Sequence, residues 1–234
     1  MLHMSLRIVV PHLNDYDQFL TFIEAHKEIQ KENKDHLQFE IWDGGSKPHI
    51  QESIKSHCAE LSWQAHFPSQ RLSLVDVLNG ATNQMQSNRI MILPVDCHVS
   101  RELIAELLNC SEKWHWGGFP KKYQANSFFF SIYLYVLNNL FARTGRFVWT
   151  NGLFFDSSLA QQIQWQNKNL LVDWHLSEQL RKEYPYYLGT HKILVNPRKY
   201  LKNGMFRQVF INAIIILFVS LGLNDEDFLK KLYK

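Results

Sequence analysis

The chain has little of what staples a protein together or anchors it from outside its core. Of 234 residues only three are cysteine, Cys58, Cys97 and Cys110; this odd number without a Cys-x-x-Cys spacing excludes a zinc knuckle and fits a reducing cytoplasm. No basic stretch followed by an apolar run and a small-residue cleavage site opens the sequence, so residue 1 reads as close to the mature start. No uncharged segment makes a convincing span of the ~20 apolar residues a bilayer requires. Tyr123 to Ala142 is interrupted by Gln124, Asn126, Ser127, Ser131, Asn138 and Asn139, and the apolar run Val209 to Leu223 stops at about 15 residues. Charge of one sign is scarce too: 25 Lys and Arg against 22 Asp and Glu leave +3, which argues against a dedicated nucleic-acid binder. The 11 histidines form no His-x-x-x-His or His-Glu-x-x-His pair, and no repeat, low-complexity tract or Pro/Gly/Ser-rich linker divides the chain.

What is present is a large apolar complement. Hydrophobic residues make up 46% and charged residues 20%, enough for one domain that buries roughly 70% of its unfolded surface without a disulfide or structural metal. Leu6 to Val10 is a β-branched run closed by Pro11. Asp15 to Asn33 spaces Tyr16, Phe19, Leu20, Phe22, Ile23 and Ile29 as one face of a helix, and Leu37 to Trp42 alternates before Asp43-Gly44-Gly45-Ser46 breaks it. His49 to Cys58, Val75 to Gln86 and Ser100 to Leu108, with Ser100 as N-cap, read as helices; Trp63 to Phe67 and Ile90 to Val95 read as strands. This β-α alternation over the first 110 residues predicts an α/β fold with a mostly parallel central sheet and helices on both faces. Beyond it, Trp114 to Phe119, Gly152 to Phe155 and Ile193 to Val195 read as strands. The aromatic stretch Phe128 to Phe141 reads as a helix packed on the core, Leu171 to Glu183 as a helix, and Phe206 to Leu221 as the final long helix.

In such sheets ligands bind beyond the carboxyl ends of the strands, here His12 to Asp15, Asp43 to Ser46 and Asp96 to His98. Asp43-Gly44-Gly45-Ser46 reads either as a tight turn or as a carboxylate and close backbone facing a nucleoside. Asp96-Cys97-His98 reads either as a capping acid beside an exposed histidine or as two ligands to one divalent ion bridging a diphosphate. Asp173, at the start of its helix, reads either as a cap or as a general base.

Taken in order, these pieces resemble the family 2 glycosyltransferases of GT-A fold, and among them the small bacterial members. The resemblance rests on Ile8-Val9-Val10-Pro11-His12-Leu13-Asn14-Asp15 (family I-I-P-x-L-N-E), on Asp43-Gly44-Gly45-Ser46 (D-G-G-S), and on Asn79-Gly80-Ala81 leading to Ile90 through Asp96. It continues through Leu171 to Ser177 (M-E-D-x-E-L-S), Arg198-Lys199-Tyr200 and Gly204-Met205-Phe206-Arg207 to Leu221-Gly222-Leu223 and Leu232-Tyr233. It implies one glycosyltransferase domain with a nucleotide-sugar half (1–110), an acceptor-side half (111–200) and a C-terminal helical extension (201–234). The implied donor is a nucleotide-diphosphate sugar, contacted by Pro11, Asn14, Asp15, Asp43, Gly44 and Asn79. Asp96, with His98 as second ligand, would hold Mg2+ or Mn2+ against the diphosphate, and Arg198 and Arg207, with Lys199, would close over it. Asp173 would take the proton of the acceptor hydroxyl in an inverting transfer.

The sequence departs from the family at three places. The family's H-A-D is Pro94-Val95-Asp96, its E-D pair is Val172-Asp173, and its G-D-Q acceptor motif is Trp149-Thr150-Asn151. Trp149, Trp165 and Trp174 offer flat faces for a sugar ring. A catalytically weakened sugar-nucleotide-binding protein of the same fold is the alternative; a nucleotidyltransferase is disfavoured, because Pro11-His12-Leu13-Asn14 stands where a glycine-rich phosphate loop would follow strand one. The acceptor would be a saccharide or a lipid-linked molecule. The apolar helix from Phe206, with Arg207 before it and Lys230, Lys231 and Lys234 after, would pack on the sheet, pair in a homodimer, or lie peripherally on the inner face of a membrane.

Overall fold

The computed structural model describes residues 4–84, 87–124, 128–165 and 171–220. Leu221-Gly222-Leu223, Leu232-Tyr233 and the cluster Lys230, Lys231 and Lys234 lie outside the described residues. The N-terminal alternation folds as β1 (Leu6–His12), α1 (Tyr16–Glu32), β2 (Leu37–Asp43), α2 (Pro48–Leu61), β3 (Gln64–His66), α3 (Leu74–Asn83) and β4 (Arg89–Ile92). β1 pairs in parallel with β2 on one edge and β4 on the other, and its faces are covered by separate apolar clusters, Ile8 and Val10 with Phe19 of α1 and Val9 with Leu78 of α3, so its Ile8-Val9-Val10 run is fully buried. α1 turns Phe19, Phe22, Ile23, His26 and Ile29 onto the sheet, and burying each large apolar side chain stabilises the fold by about 1.5–3 kcal/mol. Ser73 and Asp76 form a capping box at the start of α3, and Ser100 caps α4 (Arg101–Leu108) by accepting from Leu103 N.

The main sheet has seven strands in the order β3-β2-β1-β4-β8-β6-β9, completed by β6 (Trp116–Gly118), β8 (Leu153–Asp156) and β9 (Tyr187–Leu188). β8 runs antiparallel to both of its neighbours and the other pairings are parallel. A small sheet, ordered β5-β10-β7, is made by β5 (Cys97–His98), β7 (Lys121–Tyr123) and β10 (Ile193–Val195). The turn Pro94–Asp96 leads from β4 into this small sheet, so Asp96 stands at the carboxyl end of β4, beside the point where the strand order reverses.

The structure differs from the sequence reading in particular places. β1 runs through Pro11 because β4's register with β1 stops at Ile92 opposite Val9; past that point this side of β1 is an edge, where a missing N–H costs no ladder bond. β4 ends at Ile92, not Val95, since the chain turns at Pro94, whose carbonyl accepts from Cys97 N. The aromatic stretch forms α5 (Phe128–Val136) and a wider π-helical turn, Leu137–Phe141; it packs on the core through Phe130, Tyr133 and Leu134 and leaves its other face exposed. Of the Phe128–Phe130 triplet only Phe130 is buried, while Phe128 is 75% exposed, because successive helical residues point about 100° apart. The C-terminal region adds α6 (Ser157–Ala160), α7 (Val172–Glu183), α8 (Arg198–Asn203) and α9 (Met205–Ser220). α9 presses Ile211 and Ile215 against Trp174 and leaves Phe206, Phe210 and Leu217 exposed. No helix among the described residues is long and apolar enough to cross a membrane.

Candidate functional site

A cavity of about 390 Å³ opens between the small sheet, α7, α8 and α9. Asp96 and Asp173, far apart in the chain, both line it, together with Lys121, Trp149, Trp174 and Lys199. Asp173 occupies the first turn of α7, yet it is not the N-cap, which is Leu171. Its carboxylate accepts from Trp149 N (Oδ2, 2.8 Å) and Trp174 N (Oδ1, 2.8 Å). The side chain is 3% exposed, and burial pushes its pKa up to about 6 against the opposing pull of those two N–H groups and of the Lys121 charge. A carboxyl poised near neutrality suits a proton acceptor, since it is ionised at working pH yet basic enough to take a proton.

Lys121 is the residue that sequence reasoning missed. Next to Lys122 it looks like half of a solvated pair, but strand alternation in β7 turns Lys121 and Tyr123 inward and Lys122 outward. Its Nζ donates to Thr150 Oγ1 at 2.7 Å, and burial pulls its pKa down to about 8 against the attraction of Cys97 and Asp173. Thr150 belongs to the Trp149-Thr150-Asn151 segment that stands where the family carries an acid, so a cation held by a hydroxyl lies beside Asp173.

Asp96 is half-buried, with Cys97 Sγ at 3.7 Å from its Oδ1, and burial raises its pKa against the pull of Arg198. A carboxylate oxygen facing a cavity is a hard donor of the kind that shares Mg2+ or Mn2+ with phosphate oxygens and water, so Asp96 fits a divalent ion completed by a diphosphate. His98 is not brought to this cavity. It is turned into the core, 5.5 Å from the His26 ring and 6.3 Å from Phe22, and burial lowers its pKa. The Asp-x-His pair is therefore not assembled, and among the described residues no three His, Cys, Asp or Glu side chains gather as a metal site.

Pro11, Asn14, Asp15, Asp43 and Gly44 form a second group at the ends of β1 and β2. Asp43, 1% exposed, accepts from Gly45 N (2.9 Å), Ser46 N (2.7 Å) and Gln51 Nε2 (2.9 Å) through Oδ2 and faces His12 Nδ1 at 3.1 Å through Oδ1. Burial would raise this carboxyl, but bonds from His12, Ser46 and Gln51 outweigh it and hold Asp43 well below the usual carboxylate range. Gly45 needs its φ of +95°, and a Cβ there would meet Arg71 Cα at 2.8 Å. Asn14, at φ 54°, donates its N–H to Ser46 Oγ (2.7 Å) and accepts from Lys47 N (2.9 Å), stitching the Pro11–Asp15 loop to the turn that contains Gly44.

Asp15 links the two groups through a two-point ion pair with Arg198, whose Nη1 lies 2.9 Å from Oδ1 and whose Nη2 meets Oδ2. Asn79, on α3, is engaged by the backbone of Trp165 in both directions, at 3.2 and 3.0 Å. Arg207 is exposed on α9 and does not line the cavity. Of the three tryptophans, Trp149 and Trp174 face the cavity, while Trp165 packs behind Trp149 at 5.1 Å.

Neither a protein-family model nor a curated protein matches the chain. Solved structures do. The mannosyltransferase PcManGT from Pyrobaculum calidifontis, in complex with GDP-Man and Mn2+, superposes with TM-score 0.62 at 13% identity over 81% of this chain and 56% of its own. TarS of S. aureus gives 0.64 at 11% identity over 92% of this chain and 40% of its own. A 1–349 piece of TarS in complex with UDP-GlcNAc gives 0.61 at 11% identity over 82% and 58%. The chain thus spans about half the length of these structures, and the likeness, with the mostly parallel seven-stranded sheet, shows that it has the GT-A-like fold of these glycosyltransferases.

Proposed function

We propose that the chain transfers a sugar from a nucleotide-diphosphate donor to an acceptor hydroxyl, with inversion. The observation that carries this reading is the convergence of Asp96 and Asp173 on one cavity at the carboxyl end of β4, with the Asp173 carboxyl pushed up to about 6. Structural neighbours solved with GDP-Man and with UDP-GlcNAc support the donor class.

In this reading the loop Pro11–Asp15 and the turn Asp43-Gly44 form the nucleoside side, with Asp43 acting through the turn it holds, and Asn79 fixes α3 behind it. Arg198 stands at the rim beside Asp96, where its guanidinium contributes charge to the diphosphate, while Asp96 would hold the divalent ion. That ion, Mg2+ or Mn2+, would supply positive charge for the departing nucleotide. Asp173 takes the proton from the acceptor hydroxyl as it attacks the anomeric carbon. Trp149 and Trp174 wall the acceptor side, and Lys121 keeps Asp173 ionised. A protein that binds the donor without turning it over is the second reading, favoured by Thr150 and Val172 at positions where the family's G-D-Q and E-D motifs carry acids.

Titration calorimetry with UDP and GDP tests the donor site: affinity is expected to rise at least about tenfold with Mn2+ over chelator, and equal affinity in both would remove Asp96 as a metal-holding residue. Product formation from radiolabelled donor separates transfer from binding alone.

A further inference from the structure

A second cavity, of about 550 Å³, runs between α5 with its Leu137–Phe141 continuation and α9. Phe129, Ile132, Val136, Val209, Ala213 and Leu217 line it, and among the described residues no charged side chain does. It adjoins the polar cavity: Tyr133, Leu137, Phe141, Asn212 and Ile216 line both. At this common wall Asn212 Nδ2 donates to the hydroxyls of Tyr200 (3.1 Å) and Tyr133 (3.3 Å), and Lys199 lies on the polar side. An apolar space and a polar one thus adjoin at this wall.

The surface around it has the same character. Neither Phe128 to Phe141 nor Gln208 to Ser220 contains a charge, and Phe128, Phe129, Ile132, Tyr135, Phe206 and Phe210 are exposed along the two helices. A contiguous apolar face of this kind marks a binding surface. Exposed cations flank it, Arg143 beyond the end of the α5 continuation and Lys202 and Arg207 around the start of α9. A helix of a second copy would cover the apolar face but would place nothing in the polar cavity. A ligand that fills both spaces is apolar along one end and polar or anionic at the other, and Lys121, Arg146 and Lys199, which line the polar cavity, complement a negative head.

We propose that the groove between α5 and α9 binds the hydrocarbon chain of an amphipathic lipid whose anionic head turns past Asn212 into the polar cavity, making that lipid the acceptor. The acceptor role rests on the transfer reading above; chain binding does not.

The test is titration of the full chain with octyl phosphate and dodecyl phosphate below their micelle concentrations, with inorganic phosphate as the headgroup control. Four added methylenes are expected to tighten binding at least about tenfold. Ala213→Trp, which fills the groove, is expected to lose at least about tenfold in dodecyl phosphate affinity and to keep its affinity for UDP or GDP. Should that variant fail to fold, Leu217→Gln on the exposed rim carries the same expectation with a smaller loss. Affinity independent of chain length, or unaffected by both variants, overturns the proposal. So does a chain that sediments as a dimer and binds no alkyl phosphate, which would make the groove a self-interface. Alkyl-phosphate binding without nucleotide binding would leave the groove standing and remove the transfer reading; the reverse would remove the groove alone.

Discussion

Replacing Asp173 by asparagine is expected to lower sugar transfer by at least about 10² while leaving nucleotide affinity within about twofold, measured as product formed per enzyme and by calorimetry. The substitution keeps shape and removes the basic oxygen. One of the two N–H groups now held at 2.8 Å, of Trp149 or Trp174, would face the new amide, so a stability loss of about 1–2 kcal/mol accompanies it and folding is checked by circular dichroism. The pH profile gives the second readout. A base raised to about 6 makes the wild-type rate climb as pH rises through about 6 and level off above it. Stability runs the other way: a carboxyl whose folded pKa is raised contributes most below the ordinary carboxylate range, and that contribution is lost as pH rises towards about 6. Lys121→Met removes a positive charge that favours ionised Asp173, so the midpoint of the rate profile is expected to move upward. An unmoved midpoint would remove Lys121 from this role, and an asparagine variant with wild-type rate would remove Asp173 from the mechanism.

The parts of the fold legible in the sequence are those where one physical signal dominates. Ile8-Val9-Val10 could only be a strand covered on both faces, and α1 shows its inward stripe from Phe19 to Ile29 at helical spacing. β5, β7 and β9 were not legible, since two or three residues cannot display a period and none of the three carries a β-branched residue, as the equally short β10 does in Ile193 and Val195. The Phe128–Phe130 triplet shows that apolar character alone does not say which face of a helix packs: Phe130 joins the core, whereas Phe129 and Ile132 line the groove that α5 shares with α9. In the site, Asp96 and Asp173 were found through the order of motifs along the chain, and no local feature of either announces that they share a cavity. His98 looked like a partner of Asp96 on spacing alone, but what the backbone places beside a strand end is decided by neighbouring elements, here α1 carrying Phe22 and His26. Lys121 was hidden for the opposite reason: a lysine beside a lysine looks solvated until the pleat of β7 is known.

Arg89→Leu is expected to destabilise the fold by about 3 kcal/mol, visible as a melting temperature lower by roughly 6–12 °C for a chain of this length. Arg89 opens β4, the strand that leads to Asp96, and is 1% exposed with its guanidinium 5.3 Å from the Phe154 ring. Its Nη1 donates to Leu107 O at 2.8 Å and to Cys110 O at 3.4 Å, and Nη2 to Trp114 O at 3.4 Å. Leu107 lies in the last turn of α4 and Cys110 just beyond it, where carbonyls left without a helical partner carry the negative end of the helix dipole; a buried cation is favourable there. Leucine would fill the space beside Phe154 but strip the Cys110 and Trp114 carbonyls of their guanidinium donor and leave Leu107 O only backbone N–H partners such as Cys110 N at 3.3 Å, and this penalty outweighs the gain from apolar packing. Arg89→Lys is expected to recover less than half of the loss, because one ammonium cannot span carbonyls that a planar fork reaches together. The effect separates from catalysis: at a temperature where the variant is folded, UDP or GDP affinity is expected to match the wild type, since Arg89 stands at the opposite end of β4 from the cavity. A melting temperature within 2 °C of wild type for Arg89→Leu would show that water replaces the guanidinium at those carbonyls and that the end of α4 holds without it.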